Sequence, residues 1–149
     1  MSFDKHDQFE FWLMDMDDAI ERFQKTVPQT NSTLLDFSPE SLIAVEAFVL
    51  ARYAKIEDTR PMTEAALLDG AARYVGQVFR KHLGGKWVIE FKDDKNAFYG
   101  LPQLAGMAGQ RGQVSPLTLI TASVDRRTGK FIRIIFDNHQ RRDESFKQT

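Results

Sequence analysis

The sequence predicts an α+β fold: a mostly helical single domain with a small antiparallel β-sheet packed against a long central helix. From Leu67 to Leu83 the apolar residues recur every three or four positions, which predicts one helical face. Gly84 and Gly85 follow, and glycine readily takes the left-handed conformation that ends a helix. Trp87, Ile89 and Phe91 then alternate with Val88 and Glu90, as the two faces of a strand do. The ordinary composition of the 149 residues, 42% hydrophobic and 28% charged, fits one globular domain.

The first helix is predicted over residues 6–26, because its apolar residues share one face: Phe9, Trp12, Leu13, Met16, Ile20 and Phe23. Its acidic residues lie mostly off that face: Asp15, Asp17, Asp18 and Glu21. They are compatible with a solvated surface, a metal site or a docking surface, and we favour the solvated surface.

The second helix is predicted from Ser38-Pro39-Glu40 to about Lys55. Ser38 can cap it, Pro39 suits its first position and Glu40 suits the positive end of its dipole. Glu46 and Arg52, further along, can be functional residues or surface or rim charges, and we favour surface or rim charges.

The central helix is predicted from Thr63 to Leu83. Gly70 and Gly76 lie inside it, and each costs a helix about 1 kcal/mol relative to alanine. We therefore expect another backbone to pack closely against these two positions.

Beyond the strand at 86–91, the sequence predicts a second, antiparallel strand at 97–101 that ends at Pro102. The glycine-rich stretch 103–114 is expected to be a mobile loop that can bind a ligand. Ser115-Pro116 starts a helix over 116–127. The segment 130–142 fits either a strand, from F-I-R-I-I-F, or a helix, from its spacing; we choose the helix.

Charge is unevenly distributed along the chain. Residues 1–75 hold 14 acidic and 7 basic side chains (−7), and residues 76–149 hold 7 acidic and 13 basic (+6), giving the net −1. Such asymmetry can mark a binding face, or the two halves can pack together and neutralise each other. We favour neutralisation.

No catalytic or cofactor-binding motif is present. The chain has no cysteine, and His6, His82 and His139 lack zinc-site spacing. A nucleophile elbow, a dinucleotide fingerprint and a Walker motif are all missing, so no cofactor is predicted. His82 suits a helix end. His139 can form an acid–base pair with Asp137, although a solvent-facing helix end is the favoured interpretation.

Several partner classes are disfavoured. No apolar run approaches the roughly 20 residues of a membrane span, and the start lacks a secretory signal. Absence of cysteine fits a reducing, cytoplasmic location. The late basic residues could bind nucleic acid, but the aromatics beside them, Phe131 and Phe136, look like core, so nucleic acid is disfavoured. The basic residues are Arg126, Arg127, Lys130, Arg133, Arg141 and Arg142.

Three stretches resemble a family of bacterial domains of unknown function and are distantly similar to DUF3806-type domains. They are D-F-S-P-E-S-L-I-A-V-E-A-F at 36–48, G-A-A-R-Y-V-G-Q-V-F-R-K-H-L-G-G-K-W at 70–87, and S-P-L-T-L-I-T-A-S-V-D-R-R-T-G-K-F at 115–131. The residues at 1–33 are predicted to form an N-terminal helix and loop, and the polar tail at 143–149 is expected to fray. The resemblance implies a family-like core at 34–142. It carries no catalytic residues.

The leading hypothesis is a non-enzymatic, cytoplasmic protein-binding module. By analogy only, it is an immunity protein that neutralises a bacterial toxin through a charged, complementary face. The alternative is a small-ligand-binding protein or enzyme with a pocket between the central helix, strand 86–91 and loop 103–114. Its candidate binding residues are Tyr74, Arg80, Trp87, Tyr99, Arg111 and His139.

Overall fold

The computed structural model describes residues 4–28, 35–107 and 112–148, and these ranges contain six α-helices and one three-stranded antiparallel sheet. The predicted α+β class is confirmed. The helices are α1 (Lys5–Met14), α2 (Met16–Thr26), α3 (Ser41–Arg52), α4 (Ala65–Leu83), α5 (Pro116–Arg126) and α6 (Phe131–Gln148). The strands are β1 (Lys86–Val88), β2 (Gln103–Ala105) and β3 (Gln113–Val114), and short 3-10 turns cover Ile56–Thr59 and Met62–Glu64.

Helix α4 is the predicted central helix, and α2, α3, α5 and α6 all pack against it. Every residue from 70 to 76 is buried, so this part of the helix is covered on all sides. The buried apolar side chains of the other elements join it in a single core cluster. The predicted glycine stop is also confirmed, because Gly84 and Gly85 have φ angles of 77° and 90°.

The two glycines inside α4 accommodate different neighbours. A Cβ atom on Gly70 would lie 2.8 Å from Cβ of Phe23 and 3.5 Å from the carbonyl oxygen of Ala19, so the backbone of α2 is the expected close neighbour. A Cβ atom on Gly76 would lie 2.1 Å from Cη2 of Trp87. The neighbour at Gly76 is therefore an aromatic ring and not the predicted backbone.

The sheet differs from the predicted hairpin. β1 covers only Lys86–Val88, and its partner is β2, with Trp87 opposite Leu104. β3 pairs with the other edge of β2. The prediction of a strand at 97–101 is wrong, and the predicted loop 103–114 contains two strands; its residues 108–111 lie outside the described ranges.

Polar side chains explain why the chain turns at 90–101. Glu90 accepts hydrogen bonds from the backbone N–H groups of Lys92 and Asp93, at 2.7 and 2.8 Å. Asn96 accepts one from the backbone N–H of Phe98, at 2.8 Å. Side chains that bind nearby N–H groups in this way compete with strand pairing. The apolar residues 97–101 therefore form turns, although their composition suits a strand.

The predicted first helix is divided at Asp15 into α1 and α2. The backbone N–H of Asp15 still donates to the carbonyl of Phe11, and the N–H of Ala19 donates to the carbonyl of Asp15. Because these bonds keep the helical spacing of four residues, α1 and α2 form one nearly continuous rod. Its inner face carries the predicted apolar residues.

Glu46 is buried and not a surface charge. It lies on α3 with 0% of its surface exposed, and its carboxylate accepts hydrogen bonds from the backbone N–H groups of Phe131 and Ile132, at 3.2 and 2.9 Å. A carboxylate at this position accepts hydrogen bonds from the free N–H groups at the start of α6. Its negative charge also interacts favourably with the positive end of the helix dipole. Glu46 therefore caps a helix 85 residues away in sequence.

The C-terminal helices follow the sequence closely. Ser115 caps α5 by accepting a hydrogen bond from the N–H of Thr118, as predicted. The choice of a helix after Lys130 is confirmed by α6. This helix continues to Gln148, past Arg142, where the sequence predicts that a fraying tail begins. Within the described ranges, no helix combines the length and apolar composition needed to cross a membrane.

Replacing Gly76 with alanine should lower the free energy of unfolding by about 1–3 kcal/mol, because the new methyl group overlaps the Trp87 ring. The helix propensity of alanine, worth about 1 kcal/mol, does not offset this overlap. Urea denaturation measures the change. Gly112→Ala is the matched control, since its Cβ would meet nothing closer than 3.8 Å. Equal stability of the two variants would contradict the packing described here.

Replacing Glu46 with alanine should lower the free energy of unfolding by about 2–4 kcal/mol, because two backbone N–H groups of α6 lose their acceptor. Asp125→Ala removes a carboxylate from an exposed position on α5 and should change stability by less than about 0.5 kcal/mol. Thermal or urea unfolding of both variants gives the comparison, and a mild effect of E46A would refute the capping role.

Candidate functional site

The six residues selected from the sequence do not form one site. Arg80 and Trp87 both bond to Gln77 near the end of α4, and Tyr74 bonds to Phe37, which lines the same groove as Arg80. Tyr99 lines a separate pocket, and His139 is buried in α6. The sixth residue, Arg111, lies outside the described residues. The predicted set therefore separates into three places.

Arg80 and Trp87 meet through Gln77. The guanidinium Nη1 of Arg80 donates to Oε1 of Gln77 at 2.9 Å, and the indole N–H of Trp87 donates to the same oxygen at 3.4 Å. A second, longer bond of 3.4 Å runs from Nε of Arg80 to the carbonyl of Gly85. These contacts fix the orientation of the guanidinium relative to the end of the helix.

Tyr74 fixes the backbone at Phe37. Its hydroxyl donates to Oγ of Ser41 at 2.8 Å and accepts from the N–H of Phe37 at 2.9 Å. Nε2 of His82 donates to the carbonyl of Phe37 at 2.9 Å, and the Phe37 ring stacks on the Tyr74 ring with centroids 4.7 Å apart. Burial raises the pKa of Tyr74, so the phenol stays protonated and keeps its donor role.

Phe37, Gln77 and Arg80 line a groove of about 540 Å³ between α2, α4 and the segment that contains Phe37. The alternative hypothesis predicted a pocket on the side of loop 103–114, but this groove lies on the side of α2. The lining combines apolar, amide and charged groups: Asp17, Ile20, Gln24, Phe37, Gln77, Arg80, Lys81 and Gly85. We call it the α2–α4 groove.

Tyr99 lies at a second pocket of about 340 Å³ between α1 and the turns at 89–102. Most of its lining is aromatic or apolar, including Phe9, Trp12 and Phe91. The Tyr99 hydroxyl donates to the carbonyl of Phe91 at 3.1 Å, which holds the turn together. Tyr99 is thus separated from Arg80, with which the sequence grouped it.

His139 is buried, with 7% of its surface exposed, so the interpretation as a solvent-facing helix end is wrong. Its ring packs against Phe79 with centroids 6.3 Å apart. Asp137 accepts a hydrogen bond from Arg133 at 2.9 Å. Burial lowers the pKa of His139 below its ordinary value of 6.5, and the charge of Arg142 adds to this effect.

The most distinctive surface was not selected from the sequence. It is the outer side of the α1–α2 rod, which we call the acidic face. Phe11 and Met14 lie near its centre and remain 48% and 79% exposed. Exposed carboxylates occupy neighbouring helical positions around them: Asp7, Glu10, Asp18 and Glu21. The available signal was a phenylalanine and a methionine at positions opposite the apolar stripe.

Few ion pairs join the acidic first half of the chain to the basic second half, although the sequence predicted that the two halves neutralise each other. Of the six ion pairs found among the described residues, only that between Glu40 and Arg133 joins the first half to the second. On the acidic face, Glu21 pairs with Lys25, which belongs to the same helix. The carboxylates of the acidic face therefore receive no ion pair from the basic half.

The described ranges contain no cluster of three or more histidine or carboxylate side chains arranged to hold a metal ion. Comparison with protein-family models, curated proteins and solved structures found no match to this chain. The resemblance to bacterial domains of unknown function therefore stays a prediction, and function must be argued from the surfaces described above.

Acidification should destabilise the protein partly through His139. The unfolded chain takes up a proton near pH 6.5, whereas the folded protein resists protonation to lower pH. Proton uptake by His139 therefore does not affect the free energy of unfolding above pH 6.5. It lowers the free energy of unfolding as the pH falls from 6.5 toward the pKa of His139 in the folded protein. His139→Gln, which cannot titrate, should show a smaller loss of unfolding free energy between pH 7.5 and 5 in urea titrations. Parallel pH profiles of wild type and variant would contradict the assignment.

Proposed function

We propose that the protein is a non-enzymatic binding module whose acidic face docks a basic protein partner. This is the kind of contact by which an immunity protein neutralises a toxin in the bacterial cytoplasm. The observation that carries the proposal is the exposed Phe11–Met14 pair within a field of carboxylates. The sequence resemblance to bacterial domains adds to it only as an analogy.

The composition of the acidic face suits a protein interface. Binding energy at interfaces concentrates in a few central apolar or aromatic side chains, around which polar groups exclude water. Phe11 and Met14 have this central position, one helical turn apart. Methionine also adapts its shape to a partner surface.

The carboxylates supply the electrostatic part. Acidic groups of one sign on one face attract a basic partner during diffusion and disfavour acidic ones. Because the ion pairs leave these carboxylates uncompensated by the basic half, their field extends into solvent. An association through this face should weaken as salt concentration rises.

A rigid attachment supports binding by a preformed surface. Arg73 of α4 is 3% exposed, and its guanidinium donates to the Asp69 carboxylate and to the carbonyl of Trp12, both at 2.7 Å. The indole N–H of Trp12 donates back to Asp69 at 2.8 Å. This network holds α1 against α4, so little ordering is needed when a partner binds.

Two of the six basic residues late in the chain, Arg127 and Arg133, have structural contacts, which favours a protein partner over nucleic acid. Arg127 donates to the carbonyls of Tyr53 and Leu50, at 2.8 and 3.0 Å, and so satisfies the C-terminal end of α3. Arg133 pairs with Glu40 and Asp137. The N–H donors of these two arginines bond within the protein, so fewer N–H donors are available to bind phosphate groups.

Reversing two charges on the acidic face tests the proposal. In the variant Glu10→Lys/Asp18→Lys, the new cations flank Met14 and repel a basic partner. The tagged wild type should capture a stoichiometric partner from native lysate at low salt. The variant should bind the purified partner at least about tenfold more weakly by calorimetry.

Glu57→Lys/Asp125→Lys makes the same change in net charge at exposed positions outside the acidic face. This control should bind as tightly as wild type, and circular dichroism should show that both variants are folded. Equal affinity of the E10K/D18K variant and the control would rule out the acidic face as the docking surface. A captured partner that is acidic would equally contradict the proposal.

A further inference from the structure

We propose that the α2–α4 groove is a binding site for a small organic anion with an apolar body, such as a carboxylate, sulfonate or phosphate ester. The proposal is separate from partner binding by the acidic face. It rests on the two cations of the groove, on the fixed geometry of Arg80, and on the strained backbone of Phe37.

The groove is lined by two cations, Arg80 and Lys81. Neither Arg80 nor Lys81 takes part in an ion pair with a described residue. Two carboxylates lie near them: Asp17 on the lining, and Asp36, which is exposed and feels the charge of Lys81. Hydrogen bonding to Ser38, more than Lys81, lowers the pKa of Asp36, so that carboxylate is chiefly engaged within its own turn.

Hydrogen bonds within the protein fix the orientation of the Arg80 side chain. Its Nη1 and Nε atoms donate to Gln77 and to the carbonyl of Gly85, which leaves its Nη2 group without a described acceptor. Gln77 accepts from both Arg80 and Trp87 through its oxygen, and its amide nitrogen donates to no described residue. A guanidinium N–H and an amide N–H on one groove wall match the oxygens of a carboxylate, sulfonate or phosphate.

Phe37 contributes apolar surface to the groove, and its backbone is strained. Its φ angle is +63°, a left-handed conformation that is an outlier for a bulky residue. Tyr74 fixes its N–H and stacks on its ring, while His82 fixes its carbonyl. Strained residues that persist because several contacts hold them concentrate at ligand clamps and active sites.

The dimensions agree with a small-molecule site. Ligand pockets usually have a volume of about 300–1,000 Å³, and the α2–α4 groove, which is open to solvent, has a volume of about 540 Å³. Ile20 and Phe37 offer an apolar surface, and the cations Arg80 and Lys81 lie on the same lining. A ligand with one anionic group and an apolar ring or chain can contact both the cations and the apolar side chains of the groove.

A matched pair of fluorescent probes tests this inference. 8-Anilinonaphthalene-1-sulfonate carries an anionic group on an apolar body, and N-phenyl-1-naphthylamine is its neutral counterpart. Wild type should bind the sulfonate at least about tenfold more tightly, as expected for one charge-assisted contact. Equal affinity for the two probes would overturn the proposal, since it would indicate apolar binding alone.

Variants locate the binding. Arg80→Gln/Lys81→Gln should bind the sulfonate at least about tenfold more weakly. Lys95→Gln/Lys130→Gln removes two exposed charges elsewhere and should bind it like wild type. Equal weakening in both would indicate only an effect of net charge and would refute the site. If the R80Q/K81Q variant fails to fold, Lys81→Gln alone decides, because Lys81 is exposed: unchanged affinity overturns the proposal.

The two tryptophans report the position of the probe by nuclear magnetic resonance. The indole N–H of Trp87 bonds to Gln77 in the groove, and that of Trp12 bonds to Asp69. The sulfonate should shift the Trp87 indole signal more than the Trp12 signal. The opposite order would place the probe in the pocket beside α1 and contradict the inference. The E10K/D18K variant should bind the probe like wild type, which separates this test from that of the acidic face.

Discussion

The ring of Trp87 occupies the notch that Gly76 leaves in the central helix. A Cβ atom at that position would overlap the ring, so only glycine allows β1 to approach α4 this closely. The same ring meets the edge of Trp12 with centroids 4.9 Å apart, and its N–H reaches Gln77. One aromatic side chain thus joins the sheet, the central helix, α1 and the amide that orients Arg80.

Charged side chains supply the long-range connections that apolar packing does not specify. Glu46 of α3 caps the start of α6, and Arg127 satisfies carbonyl groups at the end of α3. Both contacts join a charged side chain to the backbone of a distant helix end, where the helix dipole has the opposite sign. Because an unsatisfied buried group is costly, the contact of the buried Glu46 favours one arrangement of α3 and α6. The exposed Arg127 adds a second connection, between α5 and α3.

The sequence predicted what depends on local pattern. The central helix, its glycine stop and the start of α5 follow from periodicity and capping, and the structure contains them. The strand at 97–101 was wrong because Asn96 and Glu90 bind backbone N–H groups, a local competition that apolar composition conceals. The burial of Glu46 and His139 depends on helices distant in sequence, which no local pattern reports.

The candidate site was partly predictable for the same reason. Tyr74, Arg80 and Trp87 lie on or beside one predicted helix, so their grouping required only local structure. The lining of the α2–α4 groove depends on how α2 packs against that helix, and the pocket predicted from the sequence instead involves strand 86–91 and loop 103–114. Phe11 and Met14 were missed because a single apolar residue on a polar helix face is common on protein surfaces.

Helix α2 is shared by the two proposed surfaces, and its packing determines whether they influence each other. Asp17 and Ile20 line the groove, while Asp18 belongs to the outer face. Coupling between them would require α2 to move against α4, because binding at one site affects another only through a change in their shared structure or its mobility. The close approach of Phe23 to Gly70 leaves little space for such a movement. The packing therefore favours two surfaces that bind independently on one rigid scaffold.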